Sequence, residues 1–204
     1  MTTEYVLAIP RTELTKQNVG TNGIYDFNLN AVQQDLIAFL PRDLVDNKSD
    51  TSIEIGKLLP QILGYFQITD SDGRILTYRR KGKEKGLLGK YSIGVGGHVD
   101  INDSYNVGMN LRNLVEFGSE RELGEEINLT EFIFNPTKII STYVDPTSTV
   151  HVGLPQEIHI DEKGELEYSD DEFPGVEWYT KEELKELSKT VEFETWSQLL
   201  IDSY

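Results

Sequence analysis

Cysteine is absent from the 204-residue chain. A disulfide framework, a zinc–thiolate centre and a thiol nucleophile are therefore excluded. No apolar run approaches the roughly 18 residues that a membrane-spanning helix needs. The first residues, Met1-Thr2-Thr3-Glu4-Tyr5, lack a basic stretch followed by an apolar one, so a cytosolic, cytoplasmic chain without signal peptide is expected. Cationic residues are scarce: 19 Lys and Arg stand against 35 Asp and Glu, a net charge of −16. That balance speaks against duplex nucleic acid as a partner, because such binding relies on cations neutralising phosphates. If an acidic protein of this kind handles phosphates, it needs metal ions or a local basic patch. Low-complexity tracts and internal repeats are also missing, and the length suits one sizeable core, or one core with an extension.

What the chain does have is Arg121-Glu122-Leu123-Gly124-Glu125-Glu126-Ile127-Asn128-Leu129, preceded by Gly96-Gly97-His98-Val99-Asp100. A helix over 112–127 sets Glu122 and Glu126 four apart on one face, with Glu125 three from Glu122. Like charges so placed repel by about 0.2–0.5 kcal/mol per pair. A hard cation such as Mg²⁺ or Mn²⁺ would turn that repulsion into binding. A solvated helix face, with Arg121 paired to Glu125, is the plainer alternative.

The stretch resembles the signature of the Nudix hydrolases, G-x5-E-x7-R-E-U-x-E-E-x-G-U, with U a bulky apolar residue. Arg121, Glu122, Leu123, Glu125, Glu126 and Leu129 fall on pattern positions, and Gly97 matches the opening glycine. There are three departures. Gly97 to Arg121 spans 24 positions, ten more than the pattern has. Asn113 stands where the first glutamate belongs, leaving Asp100, Asp103, Glu116 or Glu120 to replace it. Asn128 replaces the closing glycine, a mild change, since asparagine also tolerates the left-handed conformation that ends helices.

The resemblance implies an α/β fold: a Nudix-type α/β/α sandwich with a mixed sheet. An N-terminal α+β extension over 1–57 would precede the Nudix domain at 58–204. It further implies that Glu122, Glu125, Glu126 and the Gly96 carbonyl hold Mg²⁺ or Mn²⁺. Glu122 is the expected general base, with Glu172 as rival; Glu172 lies six residues before Trp178, where MutT-like proteins carry a further metal-ligating glutamate. Arg121 would orient its neighbouring carboxylates. The substrate would be a small nucleotide-type molecule, a nucleoside diphosphate linked to another group and cleaved at its diphosphate. Members of this family are often homodimers.

Along the chain, a strand is expected at 4–9, a helix at about 30–39 and a polar boundary at 46–50. Leu63–Thr69 and Arg74–Arg80 read as a hairpin around Asp70-Ser71-Asp72-Gly73. The basic tail from Arg79 and Arg80 to Lys90 either meets substrate phosphates or solvates a loop. The glycines at 94–97 permit positive φ or close approach to a ligand. His98 is a candidate substrate contact. Strands are expected at 136–144 and 150–160. His151 and His159 on the latter would lie roughly 26 Å apart, too far to share an ion, and read as structural. Helices over 181–187 and 193–201 close the chain. Three other readings compete: a nucleotide-sensing module without catalysis, an isopentenyl diphosphate isomerase (disfavoured because its chemistry resembles cysteine-assisted protonation), and a chance match.

Overall fold

The computed structural model describes residues 3–46, 49–81, 87–161, 163–169 and 173–204. The N-terminal segment forms β1 (Tyr5–Ala8), α1 (Arg11–Lys16), β2 (Asn22–Asp26), β3 (Ala38–Pro41), α2 (Arg42–Val45) and α3 (Asp50–Leu58). Next come β4 (Gln61–Thr69), β5 (Ile75–Arg79), β6 (Tyr91–Ser92), α4 (Ser104–Val107) and the long α5 (Leu111–Ile127). The chain closes with β7 (Lys138–Thr142), α6 (Pro146–Val150), β8 (His151–His159), β9 (Glu177–Tyr179), α7 (Lys181–Leu187) and α8 (Thr195–Asp202).

Every residue of β4 is buried, as expected of a strand covered on both faces. It runs parallel to β8, in register from Gln61–His151 to Thr69–His159. The main strand order is β2-β7-β8-β4-β1-β3, with β5 pairing β4, β6 and β9. Alternation along the strands sends Phe66, Ile68, Val152 and Leu154 into one core, which also takes Leu111, Leu114, Leu123 and Ile127 of α5. Tyr65 and Ile140 go to the opposite core, beneath Leu200 and Ile201 of α8. Helices thus cover both faces of a mixed sheet.

The sheet crosses the expected boundary near residue 57. β1 pairs β4 through Ala8–Gln61, and β2 pairs β7 from Asn22–Thr142 to Asp26–Lys138. The helix expected at 30–39 does not form. Two short 3-10 turns, Leu29–Ala31 and Gln34–Leu36, lead into β3, which pairs antiparallel with β1. Pairing the outer edge of buried β1 satisfies backbone groups that a helix would leave stranded. Of the expected apolar face Val32, Leu36 and Phe39, Val32 is buried, Phe39 is partly buried and Leu36 is exposed. Between the strands expected at 136–144 and 150–160 lies α6, where the Asp145 side chain accepts from the Ser148 N–H at 2.9 Å.

Helix α5 begins at Asn110, whose side chain accepts from the Asn113 N–H, and ends at Asn128 with φ 56°. The N–H of Leu129 then returns to the Leu123 carbonyl at 3.1 Å, which closes the last turn. The helix approaches β4 closely where Gly64 has no side chain: a β-carbon there would overlap the Phe66 ring and the Ser119 hydroxyl. Gly64→Ala is therefore expected to destabilise the chain by about 1–3 kcal/mol, the usual effect of overpacking. Urea denaturation checks this; an unchanged midpoint would show that the helix has room to shift.

Candidate functional site

The site is built where the Gly94–Gly97 bend passes between β4 and α5. Val95 exchanges backbone hydrogen bonds with Phe66, at 2.7 and 2.9 Å. Gly96 lies against the Gly64 carbonyl, and a β-carbon on Gly97 would overlap the Glu122 carboxylate, Oε2 first. Neither glycine is among the positive-φ residues. Close approach, not backbone freedom, is what these positions require. A glycine at 97 brings main chain and carboxylate together as no other residue can.

Arg121 ties the helix to the loop. Its Nε donates to Asp103 Oδ1 at 3.0 Å, and its Nη2 to Asp103 Oδ2 at 3.2 Å and to the His98 carbonyl at 2.9 Å. Its Nη1 donates to Glu122 Oε1 at 2.7 Å and, more distantly, to Glu125 Oε2 at 3.5 Å. Of the four candidate acids near the missing first glutamate, Asp103 is therefore the one that reaches this arginine. Asp103 is buried and also accepts from the Asp100 N–H at 2.9 Å, closing a capping box. The ten-residue insertion thus folds into a turn and α4, and its acid is delivered to Arg121.

Burial pushes the Glu122 carboxyl above the ordinary glutamate range, and Arg121 pulls against that rise. Glu125 is 64% exposed, while Glu126 is partly buried. The three glutamates share a helix face, but their oxygens do not form a closed group in this structure. Among the described residues, one set of three ligand-bearing side chains has all its ligand atoms within 4.8 Å: Asp46, His98 and His151. Sequence reading missed it, because Asp46 lies in a segment without a motif and His151 was judged only against His159. The donor set at the bend does suit a hard cation: carboxylates on one helix face, with Glu122 Oε2 turned to side-chain-free backbone.

A pocket opens beside the bend, lined by Tyr65, Arg80, Gly96, Gly97, His98 and His151 among others. Arg80 donates from Nη1 to the Tyr78 hydroxyl at 3.3 Å, and its Nε is buried without a partner. Arg79 behaves differently. It is exposed, donates to the Tyr91 hydroxyl at 2.9 and 3.0 Å and lies over that ring. The His98 ring turns to His151, Nε2 to Nε2 at 3.0 Å. His159 instead meets Thr69 Oγ1 at 2.6 Å. Glu172 lies outside the described residues. The methyl of Thr130 packs near Gly124, whose missing side chain gives it space.

No family model matches the chain. The Bacillus subtilis (strain 168) protein YmaB is 23% identical over 208 residues, covering 98% of this chain and 96% of that protein. The crystal structure of Tm1382, described provisionally as a Nudix hydrolase, covers 98% of this chain and 100% of its own at TM-score 0.74 and 24% identity. The chain has the Nudix fold. A match of that extent takes in the N-terminal segment as well as the sheet and α5. DR0079 from Deinococcus radiodurans overlaps less, over 70% of this chain and 80% of its own, at 19% identity and TM-score 0.46.

Within this Nudix fold, the Asp103–Arg121 pair is the tie between bend and helix. Asp103→Asn keeps the shape and removes the charge, so a loss of about 1.5–3 kcal/mol is expected, the range for a hydrogen bond to a charged group. Glu116→Gln, one turn before Glu120, should change stability by no more than about 0.5 kcal/mol. Equal losses in the two variants, measured by urea denaturation, would contradict the assignment.

Proposed function

We propose that the chain is a divalent-metal-dependent hydrolase that cleaves the diphosphate of a nucleoside diphosphate linked to another group. The observation that carries this reading is Glu122, seated against side-chain-free Gly97 and held there by Arg121, beside a pocket whose wall includes the partly buried Arg80. The charge of the whole chain is −16, so Arg80 is a local exception. An unpartnered guanidinium Nε at the pocket wall has a donor to give to a phosphate oxygen.

In this reading Glu122, Glu125, Glu126 and the Gly96 carbonyl hold Mg²⁺ or Mn²⁺. When bound, such an ion would supply charge neutralisation for a diphosphate and a more acidic water. Glu122 takes the proton of the attacking water. Its Oε1 is occupied by Arg121 while its Oε2 faces the bend, and burial pushes its carboxyl above the ordinary glutamate range, against the pull of Arg121. Arg121 acts by position: it fixes the carboxylates and contributes no proton transfer. Arg80 binds the charged substrate, and His98 lines the same pocket. Arg79, engaged with Tyr91 at the surface, contributes less. The fold leaves open which group is attached to the nucleoside diphosphate.

A panel of dinucleotides and nucleoside diphosphate derivatives, assayed with Mg²⁺ for release of phosphate or nucleoside monophosphate, tests the proposal. At least one compound should be turned over. Glu126→Gln should lower kcat/KM by more than the 10–100-fold typical of losing an outer partner of a metal site. Arg80→Ala should raise KM more than it lowers kcat, with Arg79→Ala close to wild type. Nucleotide binding without turnover across the panel would identify a sensor and overturn the hydrolase reading.

A further inference from the structure

Three side chains outside the α5 carboxylate set converge beside the bend, and two of them, His98 and His151, line the pocket. Asp46 caps the end of α2, His98 follows the glycine bend and His151 opens β8. The His98 and His151 Nε2 atoms are 3.0 Å apart. Two nitrogens bound to one ion at about 2.0–2.1 Å and a tetrahedral angle lie roughly 3.3 Å apart. We propose that Asp46, His98 and His151 form a second metal site, of zinc-like chemistry, distinct from the carboxylate site on α5.

The surroundings favour an ion over a plain hydrogen-bonded cluster. His151 Nδ1 lies 2.8 Å from the Thr147 carbonyl, so this nitrogen carries the proton and Nε2 presents its lone pair. A backbone carbonyl on the far nitrogen is the usual way of orienting a metal-ligating histidine. Asp46 Oδ2 stands 3.5 Å from Arg42 Nε, and its Oδ1 is buried without a partner. Gln61 adds an independent sign. It is 1% exposed, lies in parallel register with His151 on the neighbouring strand, and neither polar atom of its carboxamide has a protein partner. A parallel neighbour in register puts its side chain on the same face of the sheet. The charge of Arg42 is shared with Glu4, 2.9 and 3.0 Å away, so it does not leave an uncompensated cation beside the ion.

Imidazole nitrogens suit zinc, cobalt, nickel and iron, whereas the α5 carboxylates suit magnesium and manganese. Three protein ligands leave a fourth position open, as in catalytic zinc centres. Here that position faces the pocket, because both histidines line it. It can take a water or a phosphate oxygen of whatever occupies the pocket. Asp46 gives the N-terminal segment a chemical contribution to the centre of the molecule.

Cobalt(II) is the probe. The full chain, freed of metal, is titrated with Co²⁺ in a large excess of Mg²⁺, and visible absorption is followed. One equivalent should develop the intense bands of four- or five-coordinate cobalt. Asp46→Asn and His151→Ala should each weaken binding at least tenfold, while Glu126→Gln should leave it unchanged. Near-native circular dichroism for Asp46→Asn, which preserves shape, separates lost binding from lost folding. The site is overturned by absence of Mg²⁺-resistant cobalt bands, by equal bands in wild type and both ligand variants, or by loss of the bands in Glu126→Gln. None of these outcomes bears on dinucleotide turnover, so this inference and the hydrolase reading fail separately.

Discussion

The guanidinium of Arg121 is the point on which the arrangement of the site depends. Its planar fork spends two donors on Asp103, one on the His98 carbonyl and one on Glu122. Burial works against the arginine's charge, and the carboxylates of Asp103 and Glu122 outweigh that, raising its affinity for the proton above the ordinary value. A lysine could not serve, because its single ammonium cannot reach helix, bend and insertion in one plane. Through this one side chain, a 17-residue helix and a glycine bend on the central strand hold a fixed relation. The close fit of Gly97 to Glu122 follows from it.

The sheet supplies the rigid side of that relation. β4 is buried along its whole length and is fixed by a nine-pair parallel register with β8. The bend is clamped to Phe66 on this strand by paired backbone bonds, and the parallel register sets Gln61 beside His151. Bend and histidine pair are thus tied to the most deeply buried strands of the sheet. The N-terminal strands extend the sheet beyond β4, and α2 brings Asp46 up to His98.

Much of this was legible in the residues. The helix expected over 112–127 and its asparagine terminus came with the resemblance to the signature, whereas the hairpin about Asp70–Gly73 follows from turn chemistry, which is local. The failures were all of longer range. Val32, Leu36 and Phe39 carry helical spacing, yet β3 forms there because β1 needs a pairing partner. Four acids stood as candidates near the missing glutamate, and that Asp103 is the one paired with Arg121 depends on how the insertion folds back. His151 looked structural when measured against its own strand. Its partner comes from a bend 53 positions earlier, and no spacing rule links the two.

The central claim is that Arg121 holds Glu122 against the bend so that carboxylates and main-chain carbonyl face one ion. A crystal of the full chain grown with Mn²⁺ tests it most directly through anomalous scattering. The account predicts a manganese peak bounded by Glu122, Glu126 and the Gly96 carbonyl, with Arg121 still joined to Asp103. Glutamates splayed into solvent with no peak among them, or an Arg121 turned away from Asp103, would contradict it.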